Sequence, residues 1–139
     1  MSQDESAKIL REAKVIAVVG LSNDPLKDSF QVGFYLKQHG YRIIPVNPLV
    51  DKVLGEKSYK TLLDIPIELQ KNIDVVDIFR KTQDVPPIVE QAIQLRVKFG
   101  KPSMIWMQLG IVNEVAAEAA RKAGLIVVMD KCLMVEHKR

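Results

Sequence analysis

Short apolar runs rich in β-branched residues recur along the chain at Val15 to Val19, Arg42 to Val46, Asp74 to Phe79, Ser103 to Met107 and Ile126 to Met129. Runs of this length that stay apolar at consecutive positions fit strands buried on both faces of a parallel sheet. Between them the period changes. Over Asp84 to Phe99, the residues Val85, Ile88, Val89, Ala92 and Phe99 recur at three- and four-residue spacing, which puts them on one stripe of a helix that covers a sheet. Punctuation agrees: Asp28 with Gln31 has the form of a capping box, Pro86 and Pro87 suit a first turn, and Asn113 is a candidate cap. Gly40, Gly100 and Gly124 stand where helices stop. Residues 2–13 read as an extra leading helix, and 51–67, with Gly55, Pro66 and mixed polarity, as an irregular insertion.

Five strands alternating with helices predict an α/β fold: a Rossmann-like doubly wound parallel sheet with helices on both faces, as right-handed crossovers require. Counting strands along the chain, the expected order is 3-2-1-4-5. No repeat or low-complexity linker interrupts the chain, and 139 residues at 47% hydrophobic content suit a single domain over 1–139 with a substantial core. Ligands of such sheets bind outside the carboxyl ends of the strands, near the reversal of strand order. The residues that follow each strand therefore carry the functional question.

Charge narrows the class of ligand. Twenty basic residues against 17 acidic ones give a formal charge of +3 with no concentrated run, which suits a small anion better than nucleic acid. Cys132 is the one cysteine, so neither an intramolecular disulfide nor a thiolate zinc cluster can form within the chain, and a reducing, cytoplasmic setting is expected. Met1 to Glu12 is polar, without a signal-peptide core, and no stretch approaches the ~20 apolar residues of a membrane span.

After the first strand, Gly20-Leu21-Ser22-Asn23 leads through Lys27 into a helix. Free amides and a positive dipole end at such a turn favour phosphate. Gly20 permits close approach, Ser22 offers a hydroxyl and Lys27 a cation; a plain turn with a solvated lysine reads the same way. The dinucleotide fingerprint G-x-G-x-x-G fails, because Ser22 and Pro25 occupy its second and third glycine positions. Where an acidic residue would hold a ribose, the second strand ends in Asn47-Pro48, equally a ligand contact or an ordinary turn pair. The third ends in Phe79-Arg80, a ring beside a guanidinium able to engage phosphate or stack on a base. Trp106, Gln108 and Gly110 follow in the fourth, and Asp130-Lys131-Cys132 close the fifth. Lys131 would favour a thiolate at Cys132; an inert buried thiol is the alternative.

Together the segments Gly20-Leu21-Ser22, Val46-Asn47-Pro48, Val76-Asp77-Ile78-Phe79-Arg80, Trp106-Met107-Gln108-Leu109-Gly110 and Asp130-Lys131-Cys132 closely resemble the small stand-alone CoA-binding-domain proteins, over about Ala13 to Glu136. That family is similar to the CoA-binding domain of the succinyl-CoA synthetase alpha subunit and of NDP-forming acyl-CoA synthetases. The resemblance implies coenzyme A as the cofactor. It further implies that Gly20, Leu21, Ser22, Asn23 and Lys27 meet its phosphates and that Asn47, Pro48, Phe79 and Arg80 surround its nucleotide end. Trp106, Gln108 and Gly110 would lie along the ligand, with Cys132 near the groove.

The larger synthetases need a phosphorylated histidine and a nucleotide-grasping unit. Here His39 and His137 are expected to be simply solvated, and no nucleophile elbow, zinc helix or Walker loop is present. Asp74, Asp77 and Asp130 lie at strand borders with structural roles expected. The reading is a non-catalytic CoA or acyl-CoA binding protein, with redox-linked pairing of Cys132 with the CoA thiol as an extension. Its alternatives are a CoA-binding component of a split acyl-CoA synthetase and, less favoured, an NAD(P)-dependent reductase. Neither nucleic acid nor a membrane is expected as a partner; a homo-oligomer or a synthetase partner stays open.

Overall fold

The computed structural model describes residues 3–139, so Ser2 of the expected leading helix lies outside the described residues. In chain order the elements are α1 (Gln3–Glu12), β1 (Val15–Val19), α2 (Asp28–Gln38), β2 (Arg42–Val46), β3 (Lys52–Val53), β4 (Glu56–Lys57), α3 (Ile67–Gln70), β5 (Val75–Ile78), α4 (Val85–Phe99), β6 (Met104–Met107), α5 (Glu114–Lys122), β7 (Ile126–Val128) and α6 (Leu133–His137). The expected strands thus coincide with β1, β2, β5, β6 and β7 to within a residue at either end. No helix among the described residues is long and apolar enough to cross a membrane.

The five long strands form one parallel sheet in the order β2-β1-β5-β6-β7. The α/β class is as expected, but the order is not 3-2-1-4-5: the third of the long strands, β5, lies on the far side of β1 from β2. The outer edge of β2 is already occupied. Tyr59 bridges to Val46, its amide donating to the Pro45 carbonyl at 3.1 Å and its carbonyl accepting from the Asn47 amide at 2.8 Å. Pro45 has no N–H to give a neighbouring strand on that side, so it marks β2 as an edge. The other side of β1 is pinned to β5, because the Asp74 carboxylate accepts from the amides of Lys14 at 2.8 Å and Val15 at 3.0 Å.

Alternate residues of the strands face two cores. Ala17, Val19, Ile44, Val76, Ile78, Ile105 and Met107 pack against α4, α5 and the segment 62–73. Ile16, Val18, Ile43, Val75, Met104 and Trp106 pack under α1, α2 and α6. The insertion at 51–67 is more ordered than its mixed pattern implies: β3 and β4 form a hairpin, and a 3-10 turn at Leu62–Asp64 leads to α3. Leu62 and Ile65 of this stretch are fully buried, each stabilising by about 1.5–3 kcal/mol. This is the crossover that closes one face of the sheet.

Helix ends follow the sequence signals with one exception. Asn113 accepts from the Ala116 amide at 3.0 Å, a proline occupies the first turn of α4, and α4 stops at Gly100, whose φ of 79° is left-handed. The capping box at Asp28 and Gln31 does not form. Lys27, in extended conformation, is the N-cap, and Asp28 lies inside the first turn, where its charge complements the dipole. Gln31 instead reaches the Pro25 carbonyl at 3.4 Å.

Candidate functional site

The chain leaves β1 through α2 on one face of the sheet and leaves β5 through α4 on the other, so the order reverses between these two neighbours. That makes the gap at their carboxyl ends the expected ligand crevice. Gly20 closes β1 there with φ +88°, and a Cβ at this position would stand 2.3 Å from the Phe79 carbonyl oxygen and 3.1 Å from Arg80 Cδ. Only glycine fits the conformation and the approach together.

The turn after Gly20 is braced internally. Leu21 is fully buried, so its side chain belongs to the core, while its carbonyl accepts from Asn47 Nδ2 at 3.0 Å. Asn47 Oδ1 accepts in turn from the Leu49 amide at 2.9 Å. Ser22 donates its amide to Ser29 Oγ and accepts on Oγ from Asp24, both at 2.9 Å. Asn23 and Lys27 are exposed. Asn47 and Ser22 thus hold the turn in shape, and Asn23 and Lys27 reach solvent beside it.

Two clefts open at the strand ends, and Arg80 is a wall of both. The first, about 320 Å³, lies between the ends of β1 and β2 and the start of α4, with Pro48, Lys60, Thr61, Gln83 and Gln91 around it. The second, about 410 Å³, lies between the start of α2, the ends of β5 and β6, and α6, with Phe79, Gln108, Leu109 and Cys132 among its walls. The Arg80 guanidinium is half-exposed and pairs with Asp84 at 3.3 Å. Pro48, Phe79, Arg80, Gln108 and Cys132 are therefore brought together along this edge, whereas Asn23, Lys27, Trp106 and Gly110 line neither cleft.

Trp106 is 2% exposed. Its indole N–H donates to the Lys131 carbonyl at 2.7 Å, and it borders a separate cavity beside α1 and β7. Gly110 donates its amide to Asp130 Oδ1 at 2.7 Å. Gln108 spends both ends of its amide on the protein, Nε2 donating to Asp77 Oδ1 at 2.6 Å and Oε1 accepting from the Leu133 amide at 3.2 Å.

Asp77 does not lie at a strand border. It sits within β5, wholly buried, and Oδ2 has no hydrogen-bond partner among the described residues. Burial pushes its carboxyl up to about 7, against the opposing hydrogen bond from Gln108. Asp74 differs: burial alone would raise it, but Lys101 at 2.8 Å and the amides of Lys14 and Val15 hold it below the usual range. Of the histidines, His39 is exposed, as expected, whereas His137 is half-buried. His39 stacks on Tyr35 with ring centroids 3.9 Å apart, and His137 Nδ1 shares a 2.7 Å hydrogen bond with the Tyr35 hydroxyl. This ties α2 to α6, and burial, then the neighbouring His39, lowers the His137 pKa.

Sequence reasoning missed Lys60, Thr61, Gln83 and Gln91. The first two lie in the insertion and follow no main strand, so only its return along the β2 edge brings them to the cleft. Asp77 did leave a signal: it is the one charged residue in the apolar run from Val75 to Ile78. Chemically, the edge offers cations for an anionic ligand and an apolar trough. Asp84 and Asp130 are already engaged, and no group of three or more His, Cys, Asp or Glu among the described residues is arranged to hold a metal.

Residues 14–138 match the family described as CoA binding domain. The chain is 37% identical over 136 residues to the uncharacterized protein YneT of Bacillus subtilis (strain 168), covering 98% of this chain and 94% of that one. A hypothetical protein from Pyrococcus horikoshii OT3 has the same fold at a TM-score of 0.89 and 40% identity, covering 100% of this chain and 92% of that one. Over 87 residues the chain is 37% identical to the ADP-forming acetate–CoA ligase II of Archaeoglobus fulgidus, a match that takes in 61% of this chain but 12% of the ligase.

Proposed function

The chain belongs to the CoA-binding domain family, and from that premise we propose that it binds coenzyme A or an acyl-CoA at the β1–β5 crevice, as one domain that carries out no reaction of its own. The observation that carries this reading is the position of Arg80 as a shared wall of two clefts at the switch point. An elongated ligand with phosphates near its middle can lie across the guanidinium and extend into both. The cleft with Lys60, Gln83 and Gln91 suits the nucleotide end, where Pro48 gives a flat apolar contact. The turn Gly20 to Asn23 would meet phosphate through backbone amides and the Ser22 hydroxyl, with Lys27 adding charge at the start of α2. Leu21 and Asn47 would act by holding that turn, and Trp106, Gln108 and Gly110 by shaping the far end.

Absence of turnover is supported by what the acids are doing: Asp84 faces Arg80, Asp74 faces Lys101, and Asp77 is sealed in the sheet. The test is calorimetric titration of ligand-free protein with CoA, dephospho-CoA and NAD. Tightest binding of CoA supports the reading and shows that the 3′-phosphate is recognised; preference for NAD would replace it with the reductase alternative.

A second reading is favoured by the similarity to the ADP-forming acetate–CoA ligase II: the chain supplies the CoA site to a separate protein that carries the nucleotide-grasping part. Acyl-CoA formation that appears only when a co-purifying partner is added back would support it. Cys132, half-buried on the wall of the second cleft, adds a redox extension in which it joins the CoA thiol as a mixed disulfide under oxidation.

A further inference from the structure

We infer that the second cleft receives the acyl end of an acyl-CoA whose acyl group is aliphatic and uncharged, a specificity that rests on the coenzyme A reading above. The two clefts that meet at Arg80 differ in balance. The first mixes Lys60, Gln83, Asp84 and Gln91 with apolar side chains such as Leu62 and Ile88. The second is more apolar: Val32, Phe79, Leu109, Ile111, Met134 and Val135 line it, with Asp28, Gln31 and Gln108 as its other polar groups besides Arg80.

Three features of the second cleft select the ligand. Leu109 and Val135 leave 67% and 45% of their surface in water, and methylene groups laid against them would remove apolar area from solvent. Polar groups on this wall are few, and both ends of the Gln108 amide are engaged, so the part of the ligand beyond the pantetheine arm meets mainly apolar surface. Charge excludes the remaining class. Asp28 and Arg80 are the charged residues of this lining, and Arg80, which faces Asp84, is in the reading above already taken by the phosphates. A dicarboxylic acyl group would bring its free carboxylate into an apolar trough beside Asp28, without a spare cation to meet it.

The experiment is calorimetric titration of the full chain with CoA, butyryl-CoA, hexanoyl-CoA and succinyl-CoA, repeated on Leu109→Asp and Val135→Asp, with thermal melting to confirm that each variant folds. Affinity should rise from butyryl- to hexanoyl-CoA by about two- to fourfold per methylene, and succinyl-CoA should bind about tenfold more weakly than butyryl-CoA. In both variants the dependence on chain length should flatten. If CoA binds and chain length makes no difference, or succinyl-CoA matches butyryl-CoA, the inference is overturned while the coenzyme A reading stands. A chain-length dependence that survives in both folded variants overturns it too. If none of the four binds, both readings fall.

Discussion

Gln108 bridges the Asp77 carboxylate in β5 and the Leu133 amide at the start of α6, at 2.6 Å and 3.2 Å. A buried acid at the centre of the sheet therefore anchors the helix that walls the second cleft. The folded state holds the proton on Asp77 up to about pH 7, whereas an unfolded aspartate releases it near pH 4, about 3.9. Between those values the native state binds more protons than the unfolded one, so stability falls as pH rises, by about 1.4 kcal/mol per unit, and levels off above pH 7. Denaturant melts across this window should show that slope, and Asp77→Asn, which keeps the shape without the titration, should lose it. A wild-type slope retained in the variant would assign it to other groups.

His137 acts with the opposite sign. Its folded pKa is lowered by burial and by His39, so the native state resists a proton that the unfolded state accepts below about pH 6.5. Its contribution to stability is present above that value and lost as pH falls. His137→Asn should remove an acid-side loss of stability that Asp77→Asn leaves in place, and melts of the two variants at pH 5 and 8 separate the effects.

Arg80 is the residue on which the functional reading stands. Arg80→Ala should weaken CoA binding by about 10- to 100-fold, the scale of a charge-assisted contact to phosphate, and reduce the salt dependence of what binding remains. Lysine should recover only part of the affinity, since it lacks the planar fork. Calorimetry at two salt concentrations tests this, and unchanged affinity in Arg80→Ala would remove the guanidinium from the site.

Gly20→Ala should destabilise the protein by at least about 2 kcal/mol, a fall of roughly 5–10 °C in Tm. The cause is local: a new Cβ meets the Phe79 carbonyl at 2.3 Å in a backbone with φ +88°. Thermal melting of the ligand-free variant is the measurement. A Tm within about 1 °C of the parent would mean that the two strand ends can part at little cost.

Oxidation of the CoA-bound protein by a peroxide should add one CoA, by intact mass, through a disulfide between Cys132 and the CoA thiol; the peroxide is reduced as the two thiols give up their protons and electrons. Reductant should remove the added mass, and Cys132→Ser should never gain it. An adduct on the serine variant would show that this thiol is not the attachment point.

Much of this molecule is written locally. Runs such as Val15 to Val19, and the helical stripe through Val85, Val89 and Ala92, declare their elements because burial on a sheet or under a helix imposes its own period on neighbouring residues. Strand ends are legible for the same reason, so Gly20, Arg80 and Cys132 stand out as candidates from the sequence alone. Strand order was not set by any such period. It depends on whether β5 joins the free edge of β1 or the outer edge of β2, a choice between contacts some 60 residues apart, made here by the Asp74 bonds to Lys14 and Val15 and by Tyr59 along β2. Pro45, without an N–H to offer an outer strand, was the local sign of it. The same long-range crossover carries Lys60 and Thr61 to Arg80 and seals Asp77 inside the sheet, because hydrogen bonds and packing between distant segments are satisfied only once the whole sheet is assembled.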